Sequence, residues 1–147
     1  FESTHSEMMG CLDDFFSGLD RWDFYLPNPE EELRMFTSFF QAWMTNADVV
    51  ELLNNIDFDV LLIERLKSFF TKFFYERVTK EMPGVDEELA KYVINFNAYT
   101  LLGILKPWFK DGMRHPPDVL AGLLIQLTGS SQRMRAVEKY QNVFRSR

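Results

Sequence analysis

The chain contains little of what metal sites, disulfides and membrane spans require. Cys11 is the single cysteine among 147 residues, which excludes an intrachain disulfide and a thiolate metal site and is compatible with a reducing cytoplasm. The two histidines, His5 and His115, lie far apart in sequence, and neither has the spacing of a zinc site. No apolar run approaches the length of a membrane-spanning helix. We therefore expect a cytoplasmic protein without a metal ion, a cofactor or a membrane partner.

Sequence motifs of enzyme active sites are also missing. The seven glycines are scattered singly, so no glycine-rich phosphate-binding loop is present. No Gly-x-Ser-x-Gly nucleophile motif occurs. Cys11 lies near the apolar stripe of a predicted helix, where a small core residue is the better interpretation than a nucleophile. The sequence therefore predicts a protein that is not an enzyme.

Basic residues are outnumbered by acidic ones. The chain has 16 Lys and Arg against 22 Asp and Glu, which gives a formal net charge of −6. Duplex DNA favours basic surfaces, because basic side chains release the counterions that surround the phosphates. We therefore expect the chain by itself to bind DNA poorly. Any DNA contact is expected to need a separate DNA-binding domain, or head, that is missing from this chain.

The basic residues are concentrated at the C-terminal end. Residues 132–147 are predicted to form an amphipathic helix with a formal charge of +4, from Arg133, Arg135, Lys139, Arg145 and Arg147 against Glu138. We interpret this basic tail as a solvated helix that packs on an acidic body. The alternative is an arm that contacts phosphates.

What the sequence has in abundance is helical signal and aromatic side chains. Apolar residues recur at three- and four-residue steps, and no alternating pattern of a strand is present. Asn28, Pro29 and three glutamates form a strong helix start, and Asp57 or Asp59 is expected to cap a later helix. The pattern predicts an all-α bundle of about six to seven helices, with boundaries near residues 6–19, 29–44, 46–53, 59–82, 87–112, 117–127 and 132–147.

The aromatic residues, 15 of them Phe, concentrate on three of these helices. Small-molecule sites are mostly apolar and hold a few polar groups that orient the ligand, so we interpret the cluster as a binding pocket. The predicted ligand-binding residues are Phe36, Phe40, Trp43, Phe69, Phe73, Tyr92, Asn95, Phe96 and Tyr99. The alternative is an aromatic core without a cavity, in which the asparagines of this helix face solvent or bond a neighbouring side chain.

The two helices within residues 87–127 carry more apolar residues than one buried face needs. Such an excess indicates a surface that meets another copy of the chain. Gly103 and Gly122 would allow close approach of the helices, while Pro107 is expected to bend or loosen its own turn. The predicted interface consists of Leu101, Leu105, Trp108, Leu120, Leu123, Leu124 and Leu127.

This same stretch resembles the end of the C-terminal domain of TetR/AcrR-family transcription regulators, of the type common in Firmicutes. The residues that carry the resemblance are Gly103, Ile104, Trp108, Gly112, Pro116 or Pro117, and Leu120. Residues 1–9 resemble the phrase that follows the recognition helix in this family, with Thr4 where the family usually has Lys.

The resemblance implies an effector-binding and dimerisation domain over residues 1–131, followed by the tail helix over residues 132–147. An unknown apolar or amphipathic small molecule would favour one of two positions of the helix at residues 6–19, which would connect to a helix-turn-helix head. Two copies would associate through the last two long helices, as members of this family usually do. The alternative function is a helical protein-interaction module without a small-molecule ligand.

Overall fold

The computed structural model describes residues 10, 13–14, 16–17, 29–75, 83–128 and 130–146. This part of the chain contains no strand, and its six complete helices confirm the predicted all-α fold. The helices are α1 (Pro29–Thr45), α2 (Ala47–Asn54), α3 (Asp59–Phe73), α4 (Glu87–Lys110), α5 (Pro117–Thr128) and α6 (Ser130–Arg145). Of the helix predicted at residues 6–19, residues 10, 13–14 and 16–17 are helical, and the others lie outside the described residues.

Most helix starts lie where local capping signals predicted them. The prediction for α1 is confirmed, since the helix begins at Pro29 and has Glu30, Glu31 and Glu32 in its first turn. Asp86 caps α4, because its side chain accepts hydrogen bonds from the main-chain N–H groups of Glu88 at 2.9 Å and Leu89 at 3.2 Å.

The prediction that an aspartate caps α3 is wrong. Phe58 occupies the cap position and makes no side-chain capping bond, while Asp59 is the first residue inside the helix. The Asp59 carboxylate instead pairs with Lys106 of α4, with 2.7 Å between Oδ2 and Nζ. The Asp59 carboxylate, which the local sequence predicted as a helix cap, thus forms a long-range ion pair instead.

The C-terminal end of α4 is fixed by main-chain and side-chain bonds. Gly112 follows the helix with a φ of 74°, a conformation that glycine adopts without strain. The next N–H group, from Met113, donates to the main-chain oxygen of Trp108 at 2.8 Å. Asn54, at the end of α2, donates from Nδ2 to the main-chain oxygen of Phe109 at 3.0 Å. This last turn is therefore tied to α2.

Aromatic rings from α1, α3 and α4 make up the centre of the core. Phe40 meets Trp108 edge to face with ring centroids 5.4 Å apart, and Trp43 meets Phe109 with centroids 5.1 Å apart. A third contact joins α1 to α3 through Phe39 and Phe69 at 6.3 Å. The first two contacts are edge to face, a geometry that adds to the stabilisation from burial alone. Aromatic side chains of three helices thus pack against one another in the core of the described residues.

The basic tail packs on this bundle as α6, as the sequence indicated. Val137 is completely buried, and Gln141 is 7% exposed. The Gln141 side chain accepts from the Asp86 N–H at 3.3 Å and donates to the Gly84 oxygen at 3.1 Å, and Arg145 also donates to that oxygen. The turn before α4 therefore holds the last helix in place. The division of the chain at residue 131 stays a prediction.

Candidate functional site

One side of α4 presents large apolar side chains to solvent. Tyr92, Phe96 and Tyr99 lie four and three residues apart, which places them on one helical face, and they are 60%, 61% and 54% exposed. Gly103 continues the line one turn later, and a side chain added there would meet nothing within 4 Å. The Tyr92 ring meets Phe144 of α6 with centroids 6.0 Å apart, and Nζ of Lys67 lies 5.3 Å from the centre of the Tyr99 ring. The outward side of α4 is thus largely apolar and more than half exposed at these three positions.

Helix α5 extends this surface. Val119, Leu123 and Leu127 recur at four-residue steps and are 52%, 48% and 57% exposed, while the opposite side of the helix is buried. Leu127 lines an open groove of about 370 Å³ together with Tyr92 and Phe96 of α4. Ala136 of α6 also lines this groove. The two apolar lines are therefore continuous. We name them together the α4–α5 face, which consists of Tyr92, Phe96, Tyr99, Gly103, Val119, Leu123 and Leu127.

The residues predicted for a dimer interface divide between this face and the core. Five of them are at most 8% exposed inside the subunit: Leu101, Leu105, Trp108, Leu120 and Leu124. Only Leu123 and Leu127 of the predicted set are open to another molecule. The five buried residues hold α4 and α5 against the bundle and so turn the other side of each helix outward. A role of this region in dimerisation stays a prediction. Val119 is a further exposed residue of this face that the sequence analysis did not name.

The predicted ligand-binding residues are not gathered around one space. Phe36, Phe40, Trp43 and Phe69 are buried in the core, whereas the aromatic residues of α4 lie on the α4–α5 face. Asn95 donates from Nδ2 to the Lys91 oxygen of its own helix at 2.8 Å, and the side chain of Phe73 lies outside the described residues. The structure therefore separates the aromatic set into two groups, and its role in ligand binding stays a prediction.

A second opening lies between α3 and the helical residues 13–14 and 16–17. This α3 cleft has a volume of about 510 Å³, with Asp13 and Phe16 on one wall and Arg65, Phe69 and Lys72 on the other. Arg65 donates to Oδ1 of Asp13 from Nη2 at 2.8 Å and from Nε at 3.2 Å. The sequence analysis named Phe69 but missed the pair of Asp13 and Arg65, because these two residues are 52 positions apart and no local pattern connects them.

Two further observations concern the described residues alone. They contain no group of three or more His, Cys, Asp or Glu side chains that could hold a metal ion. None of their helices is both long enough and apolar enough to span a bilayer.

An exposed apolar face on a helical bundle is typical of a surface through which proteins assemble. A family model described as the transcriptional regulator C-terminal region matches residues 30–130. Because this match covers more than half of the chain, the chain belongs to this TetR-type family, among transcription regulators and not enzymes. No curated protein and no solved structure gives a significant match. The family resemblance is thus confirmed, and the Firmicutes subtype stays a prediction.

Proposed function

We propose that this chain is the dimerisation and effector-response domain of a transcription regulator whose DNA contacts are made by a helix-turn-helix head outside this chain. The family match supports a regulator, and the net charge of −6 supports DNA contact by another part of the protein. The observation that carries the proposal is the α4–α5 face, which leaves large apolar side chains in water on two adjacent helices.

Burial of this face in a symmetric pair would give a four-helix interface. In a twofold dimer each copy uses the same surface, so α4 and α5 of one copy would meet α4 and α5 of the other. Gly103 lies on this face without a side chain, which permits close approach of two helices. The only charged residue of α5 is Asp118, in its first turn, so little electrostatic repulsion opposes such pairing.

Sedimentation equilibrium over a range of concentrations tests the dimer. We expect the wild-type chain to be a dimer, and Phe96→Glu and Leu123→Glu to give monomers, since each variant places a charge on the buried face. Met44→Glu is the matched control, because Met44 is an exposed apolar residue of α1, which packs against the buried side of α5. A monomeric wild-type chain would contradict the proposal, as would a dimer that neither variant on the face weakens.

A protein-interaction module is the second candidate, and the open groove beside Phe96 and Leu127 favours it. Such a groove accepts the apolar side of an amphipathic helix. The chain would then be monomeric at all concentrations in sedimentation and would bind a helical peptide through Phe96. The same experiment therefore separates the two candidate functions.

A further inference from the structure

The groove beside Phe96 and Leu127 has a buried amide among its lining residues. Val93 and Asn97 of α4 lie one turn apart and line the groove together with Tyr92 and Phe96, the residues just before them. Asn97 is 7% exposed, whereas Phe96 is 61% exposed, so the amide lies deeper than the ring. The groove volume of about 370 Å³ is within the range of small-molecule sites, roughly 300–1,000 Å³. The groove therefore has room for a small molecule and a polar group at its base.

The Asn97 amide is not used by the described part of the fold. Its side chain makes no hydrogen bond to a described residue, although buried amides normally have a partner. Asn95 differs, because its Nδ2 donates to the Lys91 oxygen of the same helix at 2.8 Å. Asparagine is also a poor helix former, so the helix itself gains nothing from Asn97. One acceptor and two N–H donors are thus available to a ligand in the groove.

The described residues around the groove carry no formal charge. Tyr92, Phe96 and Leu127 form a largely apolar wall, and the hydroxyl group of Thr128 donates to the Leu124 oxygen of its own helix at 3.1 Å. A charged group that enters an apolar setting loses its hydration and needs a charged or hydrogen-bonding partner in exchange. This lining therefore favours a neutral ligand with an apolar body.

We propose that the groove binds a neutral amphipathic molecule with an apolar ring body and a carboxamide, and that this carboxamide pairs with Asn97. Nδ2 of Asn97 donates to the ligand oxygen, and the ligand N–H donates to Oδ1 of Asn97. The ring body lies against Phe96 and Leu127. This inference rests on the proposed effector-response function and names the chemical class and the place of the effector. Because Phe96 and Leu127 also belong to the α4–α5 face, the ligand changes the surface that a second copy meets.

Equilibrium dialysis of the 147-residue chain against 1-naphthamide tests the proposal, with 1-acetylnaphthalene as the matched probe. Both probes carry the same ring and a carbonyl group, and only the amide has an N–H donor. We expect naphthamide to bind about three- to tenfold more tightly, the effect of one hydrogen bond. Asn97→Leu should remove this preference. Asn95→Leu is the matched control on the same helix and should retain it, since Asn95 is not among the residues of the groove.

Thermal unfolding of the same variants separates contact with a ligand from a role in the fold. Asn97→Leu replaces a buried amide that has no described partner by an apolar side chain of similar size. The thermal midpoint without ligand should therefore stay the same or rise. A clear fall of the midpoint would show that the amide supports the fold, and would overturn its assignment to a ligand.

Ala136 provides a test of the place of binding that leaves Asn97 intact. Its side chain is exposed on α6 and lines the groove. Ala136→Phe would put a ring into this space, so both probes should bind at least about fivefold more weakly, as expected when part of their apolar contact is blocked. Ala136→Ser keeps the side chain small and should leave both affinities unchanged.

Four binding results would overturn the inference: no preference for naphthamide in the wild-type chain, a preference that persists in Asn97→Leu, unchanged binding by Ala136→Phe, or tighter binding of the charged 1-naphthoate than of naphthamide. Sedimentation of the same samples separates this inference from the proposed function, because Asn97 does not belong to the α4–α5 face. A dimer without the amide preference would overturn the inference alone. A monomer with the preference would overturn the dimer and leave the ligand class standing.

Discussion

Trp108 donates its indole Nε1–H to the main-chain oxygen of His115, 3.0 Å away, and so closes the connection between α4 and α5. The ring is 3% exposed and lies edge to face with Phe40, so one side chain serves both the core and the connection. This hydrogen bond adds to the packing of α5 on α1 through Leu120 and Leu124.

Trp108→Phe tests the hydrogen bond. The variant keeps an aromatic ring and loses the donor, so we expect the free energy of unfolding to fall by about 1–3 kcal/mol. His115→Ala is the control: its side chain is exposed and the accepting oxygen belongs to the main chain, so the change should stay within about 0.5 kcal/mol. Urea unfolding monitored by circular dichroism measures both. Equal losses in the two variants would show that the histidine side chain, and not the hydrogen bond, fixes the connection.

Asp86→Ala removes the side chain that caps α4. Two main-chain N–H groups of the first turn lose their acceptor, and we expect a loss of about 1 kcal/mol in the free energy of unfolding. Asp86→Asn retains a capping oxygen and should cost much less. If thermal unfolding gives equal losses for the two variants, the charge of Asp86 matters and the capping bond does not.

Gln141→Leu tests the attachment of α6. The variant preserves the size of the side chain and leaves the Gly84 oxygen and the Asp86 N–H without this partner, which should cost about 1–3 kcal/mol. Asn142→Leu alters the exposed neighbour and should be nearly neutral. Hydrogen exchange of the α6 amides provides a second readout, since only loss of the Gln141 bonds should speed their exchange. Unchanged exchange in Gln141→Leu would contradict this role.

The ion pair between Lys106 and Asp59 predicts a dependence of stability on alkaline pH. The hydrogen bond from Lys106 to Asp59, reinforced by the charges of Asp59 and Asp57, raises the pKa of Lys106 above its ordinary value. A lysine whose pKa is raised by folding stabilises the folded state fully below its unfolded pKa. This contribution is lost as the pH rises through the folded pKa.

Urea midpoints measured between about pH 9 and 12, across the lysine range, test this prediction. The wild-type midpoint should fall towards that of Lys106→Gln as the pH rises, whereas Lys106→Arg should retain its stability, because arginine stays charged. Lys91→Gln is an exposed control on the same helix and should run parallel to the wild-type chain. A constant difference between wild type and Lys106→Gln across this range would show that the ion pair does not contribute.

Three of the helix boundaries were predictable because their causes are local. Pro29 starts α1, Asp86 caps α4, and Gly112 follows its last turn, and each of these residues acts within one turn of its own position. The orientation of α4 was not predictable in this way. Leu101 and Leu105 face inward while Phe96 and Tyr99 face outward. Because apolar residues surround most of this helix, the side that becomes buried depends on helices distant in sequence.

The candidate sites were less predictable than the fold for the same reason. The pair of Asp59 and Lys106 spans 47 positions, and the pair of Asp13 and Arg65 spans 52. The two members of each pair lie in different helical segments, so the periodicity of one helix contains no trace of these pairs. The sequence alone shows that these helices have more apolar residues than one buried face needs. Which of these residues are exposed to solvent depends on how the helices pack.

The two hydrogen bonds between Gln141 and the turn before α4 affect which substitutions this turn can accept. The two partners of Gln141 are an N–H and a carbonyl group, atoms that every residue except proline presents alike. Replacements at position 86 can therefore change the acid without releasing the final helix, and no matching change at position 141 is needed. Comparisons of related chains would consequently show little covariation between these two positions, although they are in direct contact.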